Sequence, residues 1–225
     1  MLTRLAFAAL LVAAAASSAL AAQANLGGVS IALPTPSGFC ELSESNNSDK
    51  RMITTLTGLL EKSGNKLLGM SADCRQLRDW HSGKRQLLDD YAQYQTPIGS
   101  IDKPPSETVA ETCKTLRDEG NKILANQLPD IKARVETTLK SVKMNETIFI
   151  GVLAEEANAC YAGLVQKIHT EAGTDKTQIT VFAVSTIKDK SVFTYRFSVY
   201  KNPQTADVVL GKIKADVAAL MSANR

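Results

Sequence analysis

His81 stands among Asp73, Asp79, Trp80 and Asp89, and an imidazole beside a carboxylate can act as a general base. Nucleophilic catalysis would also need an activated Ser or Cys. The chain has no G-x-S-x-G elbow, and its cysteines have another use. The segment from Arg75 to Arg85 is polar and contains Gly83, so an exposed His81 on a loop is the simpler expectation. His169, the other histidine, ends an expected strand and reads as a surface residue near a turn. Glu155 and Glu156 suggest paired carboxylates on paper. Adjacent side chains on a strand point to opposite faces, however, and in a turn they are solvated. Retaining glycosidases need two carboxyls converging at about 5–5.5 Å, which this pattern does not offer.

Phe193, Tyr195 and Phe197 alternate along one segment and could form a ligand-binding face. Core packing against the closing helix is the simpler account. Neither G-x-G-x-x-G nor a Walker sequence occurs, so no cofactor is expected. Asn46-Asn47-Ser48 and Asn145-Glu146-Thr147 fit the N-glycosylation pattern, but a bacterial-type leader makes these matches incidental.

The four cysteines are Cys40, Cys74, Cys113 and Cys160, with spacings of 34, 39 and 47 residues. Those spacings are too wide for a C-x-x-C redox or zinc site, and with two histidines no structural metal is expected. An even count in an exported chain suggests two disulfides, for which three pairings exist. Cys113–Cys160 and Cys40–Cys74 are favoured. Cys113 lies on the apolar stripe of its helix, and Cys160 shares a strand face with Ala162 and Leu164. Cys74 sits with Leu68, Met70 and Ala72, and Cys40 belongs to the neighbouring strand in chain order. Free buried thiols are the alternative.

The chain opens with Arg4 as its one early charge, an apolar run from Leu5 to Ala16, and small residues through Ala21. That order is a secretory signal, cleaved after Ala21 or, as second choice, after Ala24. The run falls short of the roughly 18–20 residues that span a bilayer, so a retained anchor is the weaker reading. Residues 1–21 are therefore expected to be removed and 22–225 to form one domain in the periplasm or outside the cell. No later segment is long enough to cross a membrane as a helix. Without Arg4 the chain has 25 basic and 23 acidic residues. Between Asp102 and Lys143 eight basic and seven acidic residues interleave, which marks a solvated helix surface. No basic cluster argues for nucleic acid.

The elements that would position these residues follow from periodicity. Val29–Leu33 reads as a strand that resumes at Phe39–Leu42 after Pro34 and Pro36. A helix carries Met52, Ile53, Leu56, Leu59 and Leu60, between a cap at 46–48 and Gly64. Lys66–Cys74 and Leu87–Thr96 read as strands, with 73–81 continuing the first or turning, and 97–105 is a loop. Two helices follow from Ser106, the first ended by Pro129. Thr147–Ala154, Cys160–His169, Thr177–Ile187 and Ser191–Tyr200 are strands, with turns at 155–158 and 188–190. A final helix begins at Asn202-Pro203, with Val209, Ile213, Val217 and Leu220 on one stripe. The order β-α-β-β-α-α-β-β-β-β-α predicts an α+β domain: an antiparallel sheet flanked by helices, a helix–sheet–helix sandwich.

Several stretches resemble an uncharacterised family of exported proteobacterial proteins. They are Pro34-x-Pro36-x-Gly38-Phe39-Cys40-x-Leu42, Asn65-x-Leu67-Leu68 leading to Asp73-Cys74, and the Lys190–Tyr200 strand with its closing helix. The element order also resembles the PsbP/Mog1-like fold. That resemblance implies a shape, and PsbP-like proteins are mostly accessory subunits without catalysis. The expected function is a non-enzymatic periplasmic protein that binds a protein, a cell-envelope component or a small ligand. The alternative is a hydrolase-type enzyme using His81 with nearby carboxylates.

Overall fold

A computed structural model describes residues 21–139, 142–170, 173 and 175–225. The expected leader, residues 1–21, lies outside the described residues except for Ala21, as do Glu171 and Ala172 beyond His169.

Three short strands open the described chain: β1 (Ala22–Leu26), β2 (Val29–Leu33) and β3 (Phe39–Glu41). β1 and β2 form a separate hairpin about Gly27 and Gly28, both at positive φ. Helix α1 (Asn47–Glu61) starts where the Asn46 side chain accepts from the amides of Ser48 and Asp49. It is followed by β4 (Asn65–Asp73), α2 (Cys74–His81) and β5 (Tyr91–Pro97). Asp73 caps α2 by accepting from Arg75 and Gln76, so the segment after β4 is a helix. The expected strand from Leu87 begins only at Tyr91.

Helix α3 runs unbroken from Val109 to Thr138 behind a Thr108–Glu111 capping box. The expected division at Pro129 does not occur. Pro129 and Ala125, whose carbonyl loses its partner, are both on the exposed side, where water can take over the bond. Strands β6 (Val142–Glu156), β7 (Ala159–Thr170), β8 (Asp175–Ile187) and β9 (Lys190–Val199) then meander, and α4 (Gln204–Ala223) closes the chain. Glu155 and Glu156 belong to β6, so the turn is tighter than expected. β8 and β9 join through Lys188 and Asp189, both at positive φ.

The seven strands pair antiparallel in the order β3-β4-β5-β9-β8-β7-β6. One face carries α4 and the β1–β2 hairpin, and the other carries α1, α2 and α3. This is the α+β sandwich that the periodicity predicts. On the α4 face Val209, Ile213 and Val217 pack on Tyr161, Ile179, Val181 and Ala183. Beside them Leu220 joins Leu26, Ile31, Leu33, Tyr94 and Val192. Each such aliphatic side chain contributes roughly 1.5–3 kcal/mol by leaving water. Arg196 lies within this layer, and its guanidinium donates to both carboxylate oxygens of Asp216 on α4, at 2.5 and 3.1 Å.

Two disulfides fasten the opposite layer. Cys40 of β3 bonds Cys74 at the start of α2, and Cys113 of α3 bonds Cys160 of β7. These bridges suit an oxidising environment. Gly120 brings α3 close to the sheet, because a Cβ there would sit 2.3 Å from the Phe149 ring on β6. No helix among the described residues is long and apolar enough to cross a membrane.

Candidate functional site

His81 ends α2 and meets the first turn of α1. Its Nε2 lies 2.5 Å from Oδ1 of Asp49, a carboxylate only 2 % exposed whose other oxygen accepts from the amide of Ser43 at 3.0 Å. His81 is therefore on a helix rather than a loop, and the residue is exposed as expected although its ring leans on Asp49. The carboxylates expected near it serve elsewhere. Asp73 caps α2, and Asp89 takes Arg85 and Lys176. Burial works to raise the Asp89 carboxyl, but its hydrogen bonds from Lys176 and Arg85 outweigh that and hold it below the ordinary range. Among the described residues no hydroxyl or thiol bonds the His81 ring. The pair braces α1 against α2.

His169 bonds Asp175 at 2.8 Å on the surface. Glu155 and Glu156 diverge as strand neighbours must. Glu155 pairs with Arg117 of α3 on one face, and Glu156 with Lys214 of α4 on the other. The Lys214 hydrogen bond holds the Glu156 carboxyl below its usual range, against a smaller effect of burial. Among the described residues no group of three or more His, Cys, Asp or Glu could hold a metal ion.

The aromatic set behaves differently from expectation. Phe193, Tyr195 and Phe197 face away from α4, which packs instead on Val192, Thr194 and Arg196. The reason is Asp216, which makes the Arg196 side of β9 the buried one. On the opposite face the rings form a ladder. Tyr91 stacks on Phe197 with centroids 4.2 Å apart, and Phe197 is followed by Tyr195 at 6.1 Å. Tyr195 then meets Phe182 at 5.7 Å and Phe193 at 6.4 Å. Burial pushes the Tyr195 and Tyr91 hydroxyls up, opposed for Tyr91 by its bond to Gln178.

All five side chains keep a partial exposure although they occupy the middle strands β5, β9 and β8, while the Tyr91 and Tyr195 hydroxyls are buried. The helices explain why. α1 lies over β4, and α3 lies over β6 and β7, fixed there by Cys113–Cys160. They meet where Arg134 of α3 donates to the Lys62 carbonyl after α1, at 2.6 Å. Between them the ring face of β5, β9 and β8 keeps a partial exposure, with Gln93, Gln95, Thr180 and Val184 buried among the rings. The stripe of α3, including Leu116, Ile123, Leu124 and Leu128, is likewise half-buried. Buried amides adjoin the rings, with Gln95 donating to Gln93 at 2.8 Å. Because neighbouring rings stack on one another, they offer edges rather than open faces.

Two cavities lie at the margins. One, of about 560 Å³, is lined by Arg85, Asp89, Lys176 and Tyr200. The other, of about 300 Å³, lies along the edge of β4. His81 lines neither. Asp49 escapes a sequence reading because it is remote in the chain. Tyr91 was discoverable, since Tyr91, Gln93 and Gln95 alternate along β5.

No family model matches the chain, and no curated protein matches it. Among solved structures it is similar to the Ran-binding protein Mog1p of Saccharomyces cerevisiae, at 10% identity with a TM-score of 0.30, covering 89% of this chain and 88% of that one. A likeness this distant carries no argument about what the chain does.

Proposed function

We propose that this chain is an exported, non-enzymatic binding protein that holds an apolar ligand against the aromatic ring face between α1 and α3. The observation that carries the reading is the partly exposed ring ladder at the centre of the sheet. A closed domain would seal five adjacent aromatic side chains, each offering 150–250 Å² to burial. On the α4 face apolar side chains form closed clusters, whereas the buried positions beside the rings are the polar Gln93, Gln95 and Thr180 together with Ala162, Val184 and Cys160. Ring edges and half-buried aliphatic side chains suit an alkyl chain better than a sugar or base, which need open ring faces. Partly exposed rings beside a few buried amides supply the apolar surface and the polar groups that a small-molecule site combines. His81 lacks the bonded nucleophile that the hydrolase reading needs.

The test uses 1-N-phenylnaphthylamine, an uncharged fluorophore that brightens on leaving water. Saturable one-to-one binding, displaced by dodecanol and lost in a folded Tyr195→Gln variant, supports the reading. Absence of saturable binding, or equal binding by the variant, contradicts it.

A further inference from the structure

The edge of β4 is open where the sheet should have ended in a full strand. β3 pairs with β4 only through Phe39↔Asp73, Cys40↔Ala72 and Glu41↔Ser71. One further rung, from the Leu42 amide to the Met70 carbonyl, ends the pairing. β4 begins at Asn65, so among the described residues 65–69 have no strand beside them on this side. An unpaired edge is a template for another chain.

This edge also has walls. The 300 Å³ cavity lies along it, between Leu33 of the β1–β2 hairpin on one side and Ile53 of α1 on the other. Leu67, Leu68 and Met70 supply an apolar floor. The β3 end is acidic, because Glu41 and Glu44 line the cavity there and no basic side chain does. Glu41 accepts from the Thr35 hydroxyl.

We propose that this slot is a docking site for the free N-terminal segment of a partner polypeptide, added to β4 as an antiparallel strand. The polarity follows from the register. A strand antiparallel to β4 runs in the direction of β3 and continues its line, so its first residue lies beside Glu41 and Glu44. An α-amino group there meets two carboxylates. A parallel strand would bring its terminal carboxylate to the same place and be repelled. At 3.3–3.4 Å per residue the open stretch accepts about five residues. Main-chain bonds supply the affinity and the apolar floor selects alternate side chains, as in other cases of strand addition. The inference does not depend on what binds the aromatic ring face.

The probe is the hexapeptide Ala-Val-Thr-Val-Thr-Val with a C-terminal fluorophore, compared with its N-acetylated form. Anisotropy measures binding, and amide hydrogen exchange locates it. The free-amine peptide is expected to bind about tenfold more tightly than the acetylated one. Exchange across residues 65–70 should slow in its presence. The double substitution Glu41→Gln/Glu44→Gln should remove the preference for the amine. The acetylation comparison stands without any variant, should that one fail to fold. Equal binding of both peptides, no saturation below about 1 mM, or protection outside 65–70 would overturn the proposal.

Discussion

The imidazole of His81 is held 2.5 Å from the carboxylate of Asp49, thirty-two residues earlier in the chain. The bond ties the last turn of α2 to the first turn of α1. It also keeps a buried carboxylate satisfied, which makes His81 a bracing residue rather than a free base. His81→Ala is expected to lower stability by about 1–3 kcal/mol, the usual effect of leaving a buried acceptor unpaired. Binding of the apolar fluorophore should not change. Urea unfolding with a parallel binding titration checks both, and lost binding at unchanged stability would contradict the structural role.

Asp89 gives the stability a defined dependence on pH. Its folded carboxyl is depressed because the bonds from Lys176 and Arg85 outweigh burial. The stabilisation is therefore present above the unfolded value, about 4, and is lost as pH falls through the folded value. Asp89→Asn should be less stable than the parent at pH 7, and the gap should close in strong acid. Urea midpoints at several pH values measure this. A gap that persists below both values would refute it.

The close approach of Gly120 to Phe149 predicts a size limit. In Gly120→Ala the new methyl meets three ring atoms at 2.3–3.0 Å, so the whole ring must shift. Overpacking of this kind costs about 1–3 kcal/mol. Adding Phe149→Leu should recover part of the loss. Strictly additive effects in the double variant would show that the two positions do not press on each other.

The disulfides close loops with separations of 34 and 47 residues. In the chain-entropy picture each contributes about 4 kcal/mol. Non-reducing peptide mapping should return Cys40–Cys74 and Cys113–Cys160 peptides. Replacing Cys113 and Cys160 together by Ser should lower the urea midpoint and loosen α3, read as faster amide exchange across 109–138. Unchanged exchange there would contradict the anchoring role given to this bridge.

Strong local signals made much of this fold legible from residues alone. Asn46 and Gly64 bracket α1, and the β8–β9 hairpin and the α4 stripe stand where periodicity puts them. The favoured cysteine pairings followed from which faces those residues share. The misses have physical causes. β1 is spelled Ala-Gln-Ala-Asn-Leu, which carries little strand propensity. α2 is eight residues long and depends on the Asp73 cap, so apolar alternation running into Cys74 hid it. Pro129 reads as a stop, yet an exposed position lets the helix continue. Alternation along β9 separates two faces without saying which one α4 takes. That choice is made by Asp216 pairing with Arg196, a contact between elements that no local pattern announces. The partial exposure of the ring face follows from that choice together with the placement of α1 and α3.

The most direct test of the ring face is an NMR titration of the aromatic side chains with dodecanol. With six Phe and five Tyr, individual ring signals can be assigned. Saturable shifts are expected for Tyr195, Phe197, Phe193 and Phe182, with Tyr161 on the α4 face unmoved. Shifts confined to Tyr161 and its neighbours, or no saturable shift in the ladder, would contradict the account.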